Sequence, residues 1–218
     1  LQRPAASAPG HTAPAAQAGI AAGEVPAHLT ETPTGRSETL HQGFLQLVRD
    51  EVRLPDGRLA TREYIRHSGA VAVIALLDDA PDPRLVLVRQ HRHPVGEILL
   101  ELPAGRLEAG EETLVCAQRE LLEETGYVAD EWAYGTEIHN AAAYSTESIW
   151  IWLARGLRPG QQRLDADEFV EVAEHNVSEL DALCAAGALP DVKTVVGLHL
   201  LQRWLAGARS LRWQRAQA

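Results

Sequence analysis

The sequence predicts an α/β protein: a three-layer α/β/α sandwich around a mixed sheet, preceded by an antiparallel β ribbon. Three observations carry this. An uninterrupted apolar run, Gly69 to Leu77, reads as a strand buried on both faces. Leu114, Ala117, Leu121 and Thr125 recur at helical spacing and mark a helix with one buried stripe. Mixed strands come first and helical patterns gather at the C-terminal end, an order that suits a sheet covered on both faces.

In chain order, residues 1–36 are rich in Ala, Pro, Gly and Thr without periodicity, and are expected to form a flexible tail. The chain begins at Leu1 and has no methionine, so its natural start is expected to lie elsewhere. Residues 37–67 read as the ribbon, with the Leu54-Pro55-Asp56-Gly57-Arg58 segment turning one strand back on the next. A domain over 68–210 follows. Its strands are Gly69–Leu77, Leu85–Gln90, Trp132–His139, Ser148–Leu157 and Glu168–Glu174, and Ile98–Gly105 leads into the glutamate-bearing segment. Ile149, Ile151 and Leu153 alternate with Trp150, Trp152 and Ala154, so both faces of that strand can be covered. Val177 to Ala186 is a short helix with Ser178 as its cap. Pro190 and Asp191 open a longer one bearing Val192, Val195, Val196, Leu200 and Trp204. Residues 211–218 are left as a C-terminal tail.

Composition narrows the partners. A net charge of −10 argues against sequence-independent nucleic-acid binding, which needs a basic surface. It leaves room for a small anionic substrate, because a metal and a few arginines reverse the local field. Cys116 and Cys184 lie far apart without metal spacing, which suits a reducing compartment, and a cytoplasmic location is expected. No apolar run approaches the roughly 20 residues needed to cross a bilayer.

The helix of Leu114–Thr125 carries the chemistry. Glu120, Glu123 and Glu124 are spaced by three and four, and Glu120 and Glu124 border the buried stripe. A bare run of this kind is ordinarily a solvated face. Three mutually repelling carboxylates beside a buried stripe suit a hard divalent cation better. Glu111 and Glu112 read as first-turn acids and Gly126 as the left-handed stop. Arg92, at a strand end, can hold phosphate or ribose oxygens with its planar guanidinium. Arg62 and Glu63 are candidates to reach a base or ribose from the ribbon. Glu108 is a candidate for the metal and water network or for substrate contact. His91 and His93 alternate around Arg92 and are given structural roles.

Gly105, five residues, Glu111, seven residues, Arg119-Glu120-Leu121, then Glu123-Glu124, Gly126 and Tyr127 together resemble the Nudix box at every fixed position; Tyr127 stands where an aliphatic residue is more usual. The flanking segments, with V-R-Q-H-R-H-P and L-E-L-P-A-G-R-L-E, resemble the ADP-ribose pyrophosphatase branch of that family. The resemblance implies an enzyme: Mg²⁺-dependent hydrolysis of the pyrophosphate of ADP-ribose or a related nucleoside diphosphate sugar, giving a nucleoside monophosphate and a sugar phosphate. Mn²⁺ is a possible substitute. It implies Glu120, Glu123, Glu124 and the Ala104 carbonyl as metal ligands, Glu123 as catalytic too, and Arg119 as the group that orients a carboxylate, usually that of Glu111. It implies a loop glutamate as general base, here Glu168 with Asp167 behind it, although the metals could activate water directly. It also implies a homodimer through the ribbon. One departure bears on substrate. Ala141 to Glu147 keeps the aromatic and the glutamate but has Ala142 where ADP-ribose hydrolases commonly carry proline, so GDP-mannose, NADH or another derivative stays open. A non-catalytic nucleotide sensor is the reading of different class, and the intact box speaks against it.

Overall fold

The computed structural model describes residues 26–216. The expected tail therefore lies outside the described residues as far as residue 25. The described residues form two units, one comprising those up to His67 with Ala143–Ser145, the other Ser68–Ala142 with the chain from Thr146 onward.

The first unit is a three-stranded antiparallel sheet of β1 (Thr32–Gln42), β2 (Gln46–Arg53) and β3 (Leu59–Arg66). The ribbon thus starts at Thr32, ahead of the 36/37 boundary that composition suggested. β1 is exposed almost throughout, so it has no inward-facing positions to create an alternating pattern. Its ladder to β2 is interrupted between Pro33 and Ser37, where Gly35 takes φ +87°. Between β2 and β3 the expected turn forms: the Leu54 amide donates to the Arg58 carbonyl at 2.8 Å, and Gly57 takes φ +89°. Tyr144 joins this unit, its carbonyl accepting the Ile65 amide at 2.8 Å.

The second unit contains an eight-stranded mixed sheet. Its strands are β4 (Ala70–Leu76), β5 (Arg84–Arg92), β6 (Glu97–Glu101), β7 (Ala104–Arg106), β8 (Tyr127–His139), β9 (Ser148–Pro159), β10 (Val170–Asn176) and β11 (Trp213–Arg215). They run in the order β10-β5-β4-β9-β8-β11, with β6 on β5 and β7 on β4, and β4 pairs parallel to β9. Alternation along β4 divides the core. Val71 and Val73 face α1 (Thr113–Thr125) through Cys116, Ala117 and Leu121, with Trp132 and Trp152 beside them. Ala72 and Ile74 belong to the other cluster, with Leu180 of α2 (Val177–Ala185) and Leu198 and Leu201 of α3 (Val192–Leu205). Helices therefore cover both faces, which completes the sandwich.

Three local expectations are corrected. Asn176, not Ser178, caps α2: it forms a capping box with Glu179, while the Ser178 hydroxyl donates to Asp82 at 2.6 Å. Glu111 and Glu112 precede α1 instead of lying in its first turn, because Glu111 is used elsewhere. The expected C-terminal tail supplies edge strand β11 as far as Arg215. It is held there by Trp213, whose ring meets Trp204 at 5.7 Å and lies 4.1 Å beneath the Arg155 guanidinium.

Candidate active site

The site is built on α1 and on the segment that leads into it. α1 ends where Gly126 turns left-handed at φ +72° and its amide donates back to the Leu122 carbonyl. The loop after β9 then covers this end. Gln162 Nε2 donates to the Glu124 carbonyl at 2.6 Å, and the Arg163 amide to the Glu123 carbonyl at 3.0 Å. Carbonyls that a helix end leaves unpaired are thereby satisfied by the loop that carries Glu168.

Glu124 is almost fully buried, and its Oε2 accepts the Ala104 amide at 2.9 Å. Burial, together with the charges of Glu120 and Glu168, pushes its carboxyl up to about 8 against the opposing Ala104 bond. Burial likewise pushes Glu120 up to about 7, in spite of Arg119. The Glu120 carboxylate lies over the backbone of Gly105: a Cβ there would fall 1.9 Å from its Cδ. Only glycine lets that carboxylate occupy this position.

Arg119 gathers the remaining acids. It binds both oxygens of Glu111, Nε to Oε1 and Nη2 to Oε2, at 2.9 Å each. Its Nη1 reaches Glu120 at 2.6 Å and Glu123 at 3.0 Å. Glu111, which also accepts the Glu108 amide, is held below the usual carboxylate range by Arg119. Glu108 itself is exposed. Among the described residues, no three acidic, histidine or cysteine side chains stand close enough to enclose a metal ion. Arg119 draws Glu120 and Glu123 one way and the Ala104 amide draws Glu124 another. The donor set still fits a hard divalent cation: oxygen ligands, a glycine that makes room for Glu120, and two carboxyls whose charge is opposed by burial and by each other.

Glu168 is half-buried, and its Oε1 accepts Gln90 Nε2 at 3.2 Å. Its charge is felt by both Glu120 and Glu124, whereas Asp167 is exposed. Arg92 grips Glu101 with Nε and Nη2, each at 2.8 Å, and its charge is felt at Glu124. Arg62 and Glu63 lie on β3 in the first unit, where they pair with Glu31 and Arg49. The sequence reading passed over Glu101 and Lys193. Glu101 is 1% exposed and bonded to both Arg92 and Lys193, and a lysine beside a helix-capping aspartate was the one available sign. A cavity of about 1000 Å³ opens on another stripe of α1, where Val115, Gln118 and Leu122 face Val128 and Trp132 and Arg119 also contributes to the wall. Glu120, Glu123 and Glu124 do not line it.

The arrangement places anionic oxygens, an arginine and a loop carboxylate around one helix, a set able to hold a cation against a phosphate. The NUDIX domain family matches residues 66–195. A methanol dehydrogenase activator of Bacillus methanolicus is 36% identical over 177 residues, 80% of this chain and 94% of the relative. An ADP-ribose pyrophosphatase of Bacillus subtilis is 34% identical over 176 residues, with the same 80% and 94% coverage. A crystal structure of an ADP compounds hydrolase shares the fold at a TM-score of 0.71, with 23% identity over 81% of this chain and 96% of that one.

Proposed function

Because the chain belongs to the NUDIX family, we propose that it is a Mg²⁺-dependent hydrolase of ADP-ribose or a related nucleoside diphosphate sugar, releasing a nucleoside monophosphate and a sugar phosphate. The observation that carries this reading is the pair of desolvated carboxyls, buried Glu124 and half-buried Glu120, with Glu120 seated over Gly105. Glu120, Glu123, Glu124 and the Ala104 carbonyl are the groups that would hold the cation. When bound, Mg²⁺ neutralises diphosphate charge and acidifies a water.

The protein's own groups do the rest. Arg119 orients Glu111, Glu120 and Glu123, and so fixes the direction their oxygens present. Glu168 takes the proton of the attacking water at its carboxylate, and Gln90 sets that carboxylate's angle. Arg92 binds a phosphate oxygen with the guanidinium edge that Glu101 leaves open. Glu108 contacts the water network or the substrate. The Ala141–Glu147 segment selects the moiety beyond the diphosphate. Arg62 and Glu63, on β3, are the groups that would contact the base or ribose. The ribbon is the dimerisation element of a cytoplasmic homodimer: Phe44 and Leu59 are exposed apolar side chains on it.

The test is a panel of nucleoside diphosphate derivatives, including ADP-ribose and GDP-mannose, incubated with Mg²⁺ and resolved for products. Wild type is expected to release a nucleoside monophosphate and a sugar phosphate, and Glu124→Gln and Glu120→Gln to stay folded and release neither. Chelator-resistant turnover, or full turnover by Glu124→Gln, would overturn the reading.

A further inference from the structure

We propose that Lys193, at the start of the C-terminal helix α3, is a positioning residue that sets Arg92 for the diphosphate by sharing Glu101 with it. The inference rests on the hydrolase reading above and adds a residue outside the family box. Lys193 sits in the first turn of α3 and is 8% exposed. A cation there opposes the helix dipole and loses its hydration, so neither helix propensity nor solvation accounts for it. What surrounds it does. Its Nζ donates to Glu101 Oε2 and, at 3.0 Å, to Asp191 Oδ1.

Asp191 is simultaneously the cap of α3, its Oδ2 accepting the Thr194 amide at 3.0 Å and the Thr194 hydroxyl at 2.5 Å. That hydroxyl in turn accepts the Leu102 amide at 2.9 Å. The first turn of α3 is therefore fastened to the residues just before Ala104 and Gly105.

Glu101 consequently faces two cations. Burial pushes its carboxyl up, but Arg92 and Lys193 outweigh that and hold it below its ordinary range. Arg92 lies between buried Glu101 and the site, its side chain 39% exposed and within electrostatic reach of Glu124. With Lys193 taking part of the Glu101 charge, Arg92 keeps attraction for an anionic oxygen on its open edge. Without Lys193, Glu101 belongs to Arg92 alone, and the guanidinium is drawn inward and neutralised. The effect reaches substrate through Arg92, since Lys193 itself is enclosed.

The experiment is a double-mutant cycle on the full chain, Lys193→Met with Arg92→Gln, followed by steady-state hydrolysis of ADP-ribose with Mg²⁺. Lys193→Met is expected to raise KM about tenfold and change kcat less than about threefold. In the Arg92→Gln background the same change should move KM less than about twofold, and Lys193→Arg should retain a KM within about threefold of wild type. An equal KM effect in both backgrounds, or a fall in kcat with KM unmoved, would overturn the proposal by showing a merely structural role. If Lys193→Met does not fold, Lys193→Gln, which keeps a donor for Glu101, goes through the same cycle with the same criteria. Absence of wild-type turnover on every nucleotide tested would instead sink the hydrolase reading. The cycle is then read on the dissociation constant for ADP measured by calorimetry, with the same tenfold and twofold limits deciding it.

Discussion

Replacing Glu124 with glutamine should strengthen the metal-free fold while abolishing hydrolysis. The carboxyl is pushed up from 4.5 to about 8, so the folded chain holds that proton far more tightly than the unfolded chain does. A carboxyl raised in this way contributes stability that is complete below the unfolded value and is lost as pH rises through the folded one. At about 1.4 kcal/mol per tenfold in proton affinity, the loss grows by roughly 2–3 kcal/mol between pH 5.5 and 7.5. Glutamine removes the charge and keeps a carbonyl oxygen for the Ala104 amide. Urea denaturation in the presence of a chelator should therefore show the variant gaining roughly 2–3 kcal/mol more over wild type at pH 7.5 than at pH 5.5. Mg²⁺ should then raise wild-type stability at pH 7.5 and leave the variant unmoved. An advantage of equal size at both pH values, or none at either, would refute the claim that ionising this side chain works against the fold.

Further outcomes follow from other contacts. Gly105→Ala places a methyl group 1.9 Å from Glu120 Cδ, so turnover should fall by about two orders of magnitude while the urea midpoint changes little; undiminished kinetics would show that the Glu120 position is immaterial. Glu168→Gln should lower kcat roughly 100-fold or more at nearly constant KM, and a change below about threefold would move the proton-accepting role away from it. Arg119→Leu strips Glu111, Glu120 and Glu123 of their common partner and should destabilise the chain by about 2–3 kcal/mol, read by thermal and urea melts. Trp213→Ala removes the contacts with Trp204 and Arg155 and should cost about 2 kcal/mol, whereas an unchanged melt would make β11 incidental.

How much of this was legible in the sequence varies with the range of the interactions involved. The burial of Ala70–Leu76, the helix over Thr113–Thr125 with its stripe at Ala117 and Leu121, and the turn at Gly57 were all readable. Each depends on residues near one another along the chain, and periodicity or backbone conformation reports them directly. β1 was entered too late and β11 was missed. An exposed strand held by backbone bonds to a neighbour leaves no alternating pattern to read. Glu111 was assigned to the helix because acids suit a first turn, but the bidentate Arg119 contact holds it in the preceding loop.

By itself the sequence determined the family motif, the α/β class and the helix that carries Glu120, Glu123 and Glu124, because these follow from residue type and spacing along one element. Tertiary structure alone decided which of those acids lose their water, that Arg119 draws two of them toward Glu111, and that Glu101 and Lys193 meet behind Arg92. Ionisation and charge pairing depend on distance and burial in three dimensions, and Glu101 and Lys193 are brought together only when α3 packs against the end of β6.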